Sequence, residues 1–102
     1  MSDLQNSDVS RLLELHQAVL DAHLQSNVLL LLQDETDDYT IANRGEISHP
    51  TKAERQQRLG PYLEATDFQV YRDEVPPVVK VSQDSTLGWV IVQVHASGSQ
   101  QT

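Results

Sequence analysis

Cysteine is absent from the 102-residue chain, and glycine and proline occur only four times each. Without cysteine, disulfides, thiolate zinc sites and cysteine nucleophiles are excluded, and the composition fits a reducing compartment. The few glycines form no phosphate-binding loop, and the sequence contains neither a nucleophile elbow nor a zinc motif. We therefore expect no nucleotide site, no cofactor and no bound metal.

Basic residues are also scarce, since 7 lysines and arginines face 15 acidic residues and give a net charge of −8. Phosphate binding needs clustered basic side chains, so the composition argues against nucleic acid and against an anionic membrane surface as partners. The longest apolar run, VLLLL at 28–32, is far too short to span a bilayer. The N-terminal MSDLQNSD lacks the features of a signal peptide, so we expect a cytoplasmic protein.

The length fits one domain, residues 1–102, with a modest hydrophobic core. Apolar residues make up 38% of the chain, below the usual ~45–50%, which makes partner-assisted folding worth considering. Both ends, residues 1–6 and 97–102, are polar, and we expect them to be flexible.

Apolar spacing and capping residues predict three helices, over 7–25, 28–33 and 51–66. Asn27 is the predicted N-cap of the second helix, and Thr51 with Glu54 matches a capping box for the third. Gly60-Pro61 falls inside the third helix and predicts a kink or a division into two short helices.

Residue alternation and turn signals predict five strands, over 39–42, 46–49, 68–74, 78–82 and 86–96. Asn43 and Gly45 are expected to supply the positive φ angles of the first turn. Pro76-Pro77 should break the ladder between the third and fourth strands. Helices segregated from a mostly antiparallel sheet define the α+β class.

The alternation also assigns residues to the faces of two strands. In the third strand, Tyr71 and Asp73 fall on one face, while Phe68 falls on the other. In the last strand both faces are substantially apolar, and one of them carries Trp89 and His95. A sheet with two apolar faces needs cover on both, which predicts a dimer interface or a ligand pocket.

The order of elements and three stretches of sequence resemble the nuclear-transport-factor-two-like superfamily, which includes SnoaL-like polyketide cyclases and ketosteroid isomerases. The stretches are LLELHQAVLDAHLQSNVLLLL, DDYTIANRGEISHPTKAE and FQVYRDEVPPVVKVSQDSTLGWVIVQV, within residues 8–96. The resemblance implies helices packed on a curved, mostly antiparallel sheet, a cone-like (cystatin-like) α+β barrel.

Members of that superfamily usually carry one or two further strands that close the sheet, and this chain is C-terminally short of them. Either the chain is a truncation or a neighbouring chain completes the sheet. An uncovered strand edge is an aggregation hazard. We therefore expect a homodimer formed through the sheet, which is also the habit of the superfamily.

His16 and His23 are seven residues apart in the first helix, which corresponds to about 10.5 Å of axial rise. Two helical histidines that share one metal are four residues apart, so this pair cannot chelate an ion by itself. Both lie on the apolar arc and face the sheet. They are either buried histidines bonded to neighbours or residues that line a pocket.

The resemblance implies a cone-shaped pocket that binds a small apolar or ring-containing ligand. The expected lining is Leu12, His16, Leu20, His23, Tyr39, Tyr62, Tyr71 and Trp89. One alternative is a SnoaL-like or ketosteroid-isomerase-like enzyme, an isomerase, cyclase or dehydratase, that uses His23 and Asp73 for acid–base chemistry. Another alternative is an interaction module whose sheet edge a partner completes. No catalytic constellation is recognisable.

Four carboxylates lie close together at Asp34, Glu35, Asp37 and Asp38. Their spacing lacks the glycine and the distal glutamate of an EF-hand loop. The stretch is therefore predicted to be a solvated turn.

Overall fold

The computed structural model describes residues 3–100, with side chains from residue 6 onward. The elements in chain order are α1 (Asp3–Leu24), α2 (Val28–Leu32), β1 (Ile41–Asn43), β2 (Glu46–Ser48), α3 (Lys52–Ala65), β3 (Thr66–Asp73), β4 (Val78–Val81), β5 (Gly88–Ile91) and β6 (Val94–Gln100). Three helices with small antiparallel sheets confirm the predicted α+β class. The flexibility expected of residues 1–2 and 101–102 lies outside the described residues.

Helix α1 begins at Asp3, four residues before the predicted start, so residues 3–6 are helical. The polar sequence of these residues contains no glycine or proline, and nothing in it interrupts a helix. The predicted cap of α2 is confirmed, because the Asn27 side chain accepts a hydrogen bond from the amide of Leu30 at 3.1 Å.

Helix α3 begins at the predicted capping box. The hydroxyl of Thr51 accepts a hydrogen bond from the Glu54 amide at 3.2 Å, and the Glu54 carboxylate accepts one from the Thr51 amide at 3.3 Å. The helix runs unbroken from Lys52 to Ala65 with Pro61 inside it, so the predicted division into two helices was wrong. Gly60 has no Cβ to clash with the following proline ring, which keeps the helical conformation accessible.

Strands β1 and β2 form a hairpin with a two-residue turn, and Asn43 pairs with Glu46 at the base of that turn. The turn residues are Arg44 and Gly45, with φ angles of 54° and 80°. The prediction that Asn43 supplies a positive φ was wrong, because Asn43 is the last paired residue and the two residues after it make the turn. Both central residues of a type I′ turn need positive φ, a conformation that glycine adopts without cost.

The four remaining strands form one long antiparallel ribbon. Strands β3 and β4 follow one another along its first side, and β5 and β6 follow one another along its second side. Strand β3 pairs with β6, and β4 pairs with β5 inside that connection. The two ladders meet where the Glu74 amide donates to the Gln93 carbonyl at 2.8 Å. Pro76-Pro77 interrupts the ladder as predicted.

One strand prediction on the second side of the ribbon was wrong. The predicted strand over 86–96 is divided into β5 and β6 at Val92-Gln93, because four residues (74–77) oppose these two and the register cannot continue. Residues 97–100, which we expect to be flexible, are paired in β6. Pairing with the start of β3 holds these polar residues in an extended conformation.

A register shift between Phe68 and Val70 places one extra residue, Gln69, in β3. The shift turns Phe68 onto the face that carries Tyr71 and Asp73, so the predicted opposite placement of Phe68 was wrong. Helix α1 covers this face of the ribbon. A side chain at Gly98, which pairs with Phe68, would collide with the backbone carbonyl of Asp67, so the close approach of β6 here requires glycine.

The core lies where the three helices meet the start of β3, and its buried apolar residues are Leu20, Ala22, Leu32 and Leu63. The accessible surface is 7363 Å², against about 5,800 Å² for a compact monomer of this mass. The radius of gyration is 15.1 Å, against about 13 Å for a compact domain of similar length. The chain therefore exposes roughly 1,500 Å² more surface than a compact domain of its size.

Candidate functional site

A histidine–carboxylate pair joins helix α1 to the end of β3. The Nε2 atom of His16 lies 2.6 Å from Oδ1 of Asp73, and the two side chains are 11% and 24% exposed. The ring N–H donates and the carboxylate accepts, which selects one tautomer of the histidine. A carboxylate that orients an imidazole is a component of many acid–base sites.

His23, two turns further along the same face of α1, has different partners. Its Nδ1 donates to the Val19 carbonyl at 2.7 Å, within the helix. Its ring stacks on Tyr71 with centroids 3.9 Å apart and planes 6° apart. Phe68 meets both rings edge-on, at 5.6 Å from His23 and 5.2 Å from Tyr71. Such aromatic arrangements are favourable beyond the area that they bury.

Tyr62 of α3 extends this group of rings toward solvent. Its centroid lies 6.4 Å from that of Phe68, and the residue is 44% exposed. We call His23, Tyr62, Phe68 and Tyr71 the ring cluster. Burial within the cluster raises the pKa of Tyr71, and the neighbouring Tyr62 raises it further. The Tyr71 phenol therefore keeps its proton at neutral pH and is available as a hydrogen-bond donor.

The structure brings together five of the residues predicted to line a pocket. His16, His23, Tyr71 and Tyr62 lie along the α1–β3–α3 interface, and Leu20 is buried in the core beside them. The partner of Asp73 is His16, whereas the sequence analysis paired Asp73 with His23.

The other three predicted lining residues lie elsewhere. Leu12 packs beside Gly88, where an added Cβ would come within 2.8 Å of the leucine methyl. Tyr39 lies beneath the guanidinium of Arg55, 4.1 Å from the ring centroid. Trp89 is exposed on the face of the ribbon opposite α1. The eight residues therefore do not line one continuous surface.

The acidic stretch is more ordered than the predicted solvated turn. Glu35 and Arg55 form a bidentate ion pair with both N–O distances at 2.8 Å, and both side chains are mostly buried. Asp37 accepts a hydrogen bond from the Lys52 amide at the start of α3. The prediction was wrong for Glu35, because its partner lies 20 residues further along the chain and no local pattern connects the two.

The last part of the ribbon carries no acidic, lysine or arginine residue from 85 onward. We call residues 85–100 the charge-free segment; it includes β5 and β6. Its exposed apolar side chains are Leu87, Trp89, Ile91, Val92 and Val94. Val79 and Val90 form a cross-strand pair on the half-buried face toward α1, so Trp89 and Ile91 point to the opposite face.

Comparisons with protein-family models, curated proteins and solved structures found no match. The resemblance to the nuclear-transport-factor-two-like superfamily therefore stays a prediction. No helix within residues 3–100 is both long enough and apolar enough to cross a membrane. The described residues also contain no group of three or more histidine, aspartate or glutamate side chains suited to a metal ion.

Proposed function

We propose that the protein is an interaction module that self-associates through the charge-free segment. One observation carries this proposal: the segment is exposed, apolar and unpaired on its outer edge. Within the described residues, β5 pairs only with β4 and β6 pairs only with β3. A lone two-stranded ribbon is marginally stable in water, and further strands or a covering surface stabilise it.

Electrostatics favour a second copy as the occupant. The chain carries a net charge of −8, so two copies repel each other over most of their surfaces. The charge-free segment lies in the longest stretch of the chain without acidic residues, lysine or arginine, so two copies can approach there without placing like charges together. It is also depleted in the charged residues that are rare at the centres of interfaces.

The amount of exposed surface also agrees with a second copy of the chain as the partner. The excess over a compact monomer is roughly 1,500 Å². A standard interface covers about 800 Å² on each partner. The excess is therefore large enough for a stable dimer, and Trp89 is the type of aromatic anchor that dominates interface energies.

The two edges of the ribbon differ in their ability to pair with an added strand, and only one of them is suited to it. The β3–β4 edge carries a bulge at Gln69, the charges of Arg72 and Glu74, and two prolines, all features that block strand addition. The β5–β6 edge has none of these features. In the proposed dimer the β5–β6 edges of two copies pair antiparallel across a two-fold axis. This arrangement extends the ribbon to a four-stranded sheet and approaches the curved sheet that the resemblance implies.

Light scattering with size-exclusion chromatography tests the proposal. The wild-type protein should have twice the monomer mass of 11.5 kDa. Ile91→Lys, at a 60%-exposed position, should shift the mass to that of the monomer, because a buried unpaired charge opposes association. The matched control is Leu29→Lys, at a 65%-exposed position on α2, which should remain dimeric. A wild-type monomer, or equal effects of the two variants, would reject the proposal.

A second proposed function is the binding of a ring-containing ligand at the ring cluster. The observation that favours it is the exposed ring of Tyr62, which continues the stacked rings of the α1–β3 interface into solvent. A ligand ring would stack there at the cost of little rearrangement. Thermal-shift measurements with apolar ring compounds should show stabilisation of the wild type and none of Tyr62→Ala. Compounds that stabilise both proteins equally bind elsewhere and would reject this function.

A further inference from the structure

We propose that the cleft between the β1–β2 hairpin and helix α3 binds a small oxyanion, a carboxylate or a phosphate, that carries a short apolar group. The cleft has a volume of about 420 Å³, within the ~300–1,000 Å³ typical of small-molecule sites. Its lining includes Arg44 and Arg58, which carry guanidinium groups, and the isoleucines Ile41 and Ile47. It is separate from both the ring cluster and the charge-free segment.

The two guanidinium groups are available to a ligand. Within residues 3–100, Arg11 and Arg55 form ion pairs with carboxylates, whereas no ion pair forms at Arg44 or Arg58. Glu46 is the one acidic residue in the cleft lining, so the lining carries a net positive charge within a chain of −8. A free guanidinium binds carboxylate or phosphate through two parallel N–H···O bonds, which specifies the ligand class.

The position of Arg44 is a second indication. Arg44 adopts a φ angle of 54° at the first position of the hairpin turn. Asparagine before glycine is the pair that such a turn favours, because asparagine tolerates the left-handed conformation better than longer side chains do. The chain thus has an arginine where backbone geometry alone favours asparagine, and that arginine lines the cleft.

The apolar part of the proposed ligand follows from the isoleucines. Ile47 is 70% exposed, and Ile41 is half-buried. The contacts of the hairpin are mainly between its own two strands, an arrangement that is marginally stable alone. A ligand with a short alkyl group would pack against Ile41, which shares a face of the hairpin with Asn43 and Ser48 of the cleft lining, and would connect the hairpin to α3.

Nuclear magnetic resonance titration of the isotope-labelled full chain tests the proposal. The probes are sodium hexanoate and sodium hexyl phosphate, with 1-hexanol as the uncharged comparison. At least one of the anions should shift the amide signals of residues 43–48 saturably, with an affinity at least about tenfold above that of 1-hexanol. The tighter anion identifies the oxyanion. Equal responses to 1-hexanol, or signal changes centred outside the hairpin, would overturn the proposal.

Arg44→Asn separates recognition from folding. The variant creates the favoured turn pair and keeps the hairpin intact, but it should weaken binding of the tighter anion about tenfold or more. Arg58→Gln should weaken it similarly. The control is Arg72→Gln, which removes the same charge from an exposed position on β3 and should leave affinity unchanged. Wild-type affinity in Arg44→Asn, or an equal loss in Arg72→Gln, would overturn the proposal.

Discussion

At the residue scale, the polar contact that joins α1 to the ribbon is the bond between His16 and Asp73. The helical periodicity predicts that both histidines of α1 face the sheet and need partners there, and this is confirmed for His16. His23 instead donates within its own helix and offers its ring face to Tyr71. The sequence could not distinguish these roles, because residue alternation does not give the position of Asp73 along α1.

A double-mutant cycle measures the energy of this bond. His16→Ala, Asp73→Ala and the double variant should give a coupling free energy of about 1–3 kcal/mol, because the charge-assisted bond is largely shielded from solvent. The control cycle uses Arg11 and Glu14, an ion pair exposed on α1, where the coupling should be below about 0.5 kcal/mol. The measurement is urea unfolding at one fixed protein concentration. Equal couplings for the two pairs would contradict this account.

The raised pKa of Tyr71 predicts a dependence of stability on alkaline pH. The unfolded chain releases the phenol proton near pH 10, whereas the folded protein releases it at higher pH because the phenol is partly buried. The stabilising contribution is therefore fully present below pH ~10 and is lost as the pH rises through the folded pKa. Tyr71→Phe should remove this part of the pH dependence in urea unfolding. A Tyr71 that ionises at or below its ordinary pKa, measured by ultraviolet titration, would contradict the prediction.

At the scale of elements, the sequence predicted contacts between residues that are close along the chain, but it did not predict contacts between residues that are far apart. The capping box of α3 and the cap of α2 were predicted because the interacting residues lie within four positions of each other. The ion pair of Glu35 with Arg55 joins residues 20 apart and left no local pattern. The nested pairing of β3 with β6 likewise depends on which distant strand is available, so alternation placed the strands without giving their register.

The contact of Arg55 with Glu35 and Tyr39 should stabilise the start of α3. Arg55→Lys keeps the charge but loses the bidentate geometry and the planar stacking on Tyr39. It should reduce the free energy of unfolding by about 1–3 kcal/mol. Arg58→Lys, three residues away on the same helix and exposed, should change it by less than about 0.5 kcal/mol. Similar effects of the two substitutions in urea unfolding would contradict a specific role for Arg55.

At the scale of the whole molecule, a small core is combined with a long ribbon that is covered on one face by α1. The low apolar content of the sequence predicted a modest core, and the alternation predicted a strand region that needs cover on both faces. Composition could not show that residues free of charge coincide with the unprotected edge of the ribbon. That coincidence arises because β6 folds back onto β3 and leaves the other edge of β6 open.

The central claim is that a second copy covers the charge-free segment. The most direct measurement is an isotope-filtered nuclear Overhauser experiment on an equal mixture of labelled and unlabelled chains. The account predicts contacts between copies that involve the Ile91 and Val94 methyl groups and the Trp89 ring. Intermolecular signals confined to other surfaces, or a complete lack of them at millimolar concentration, would contradict it.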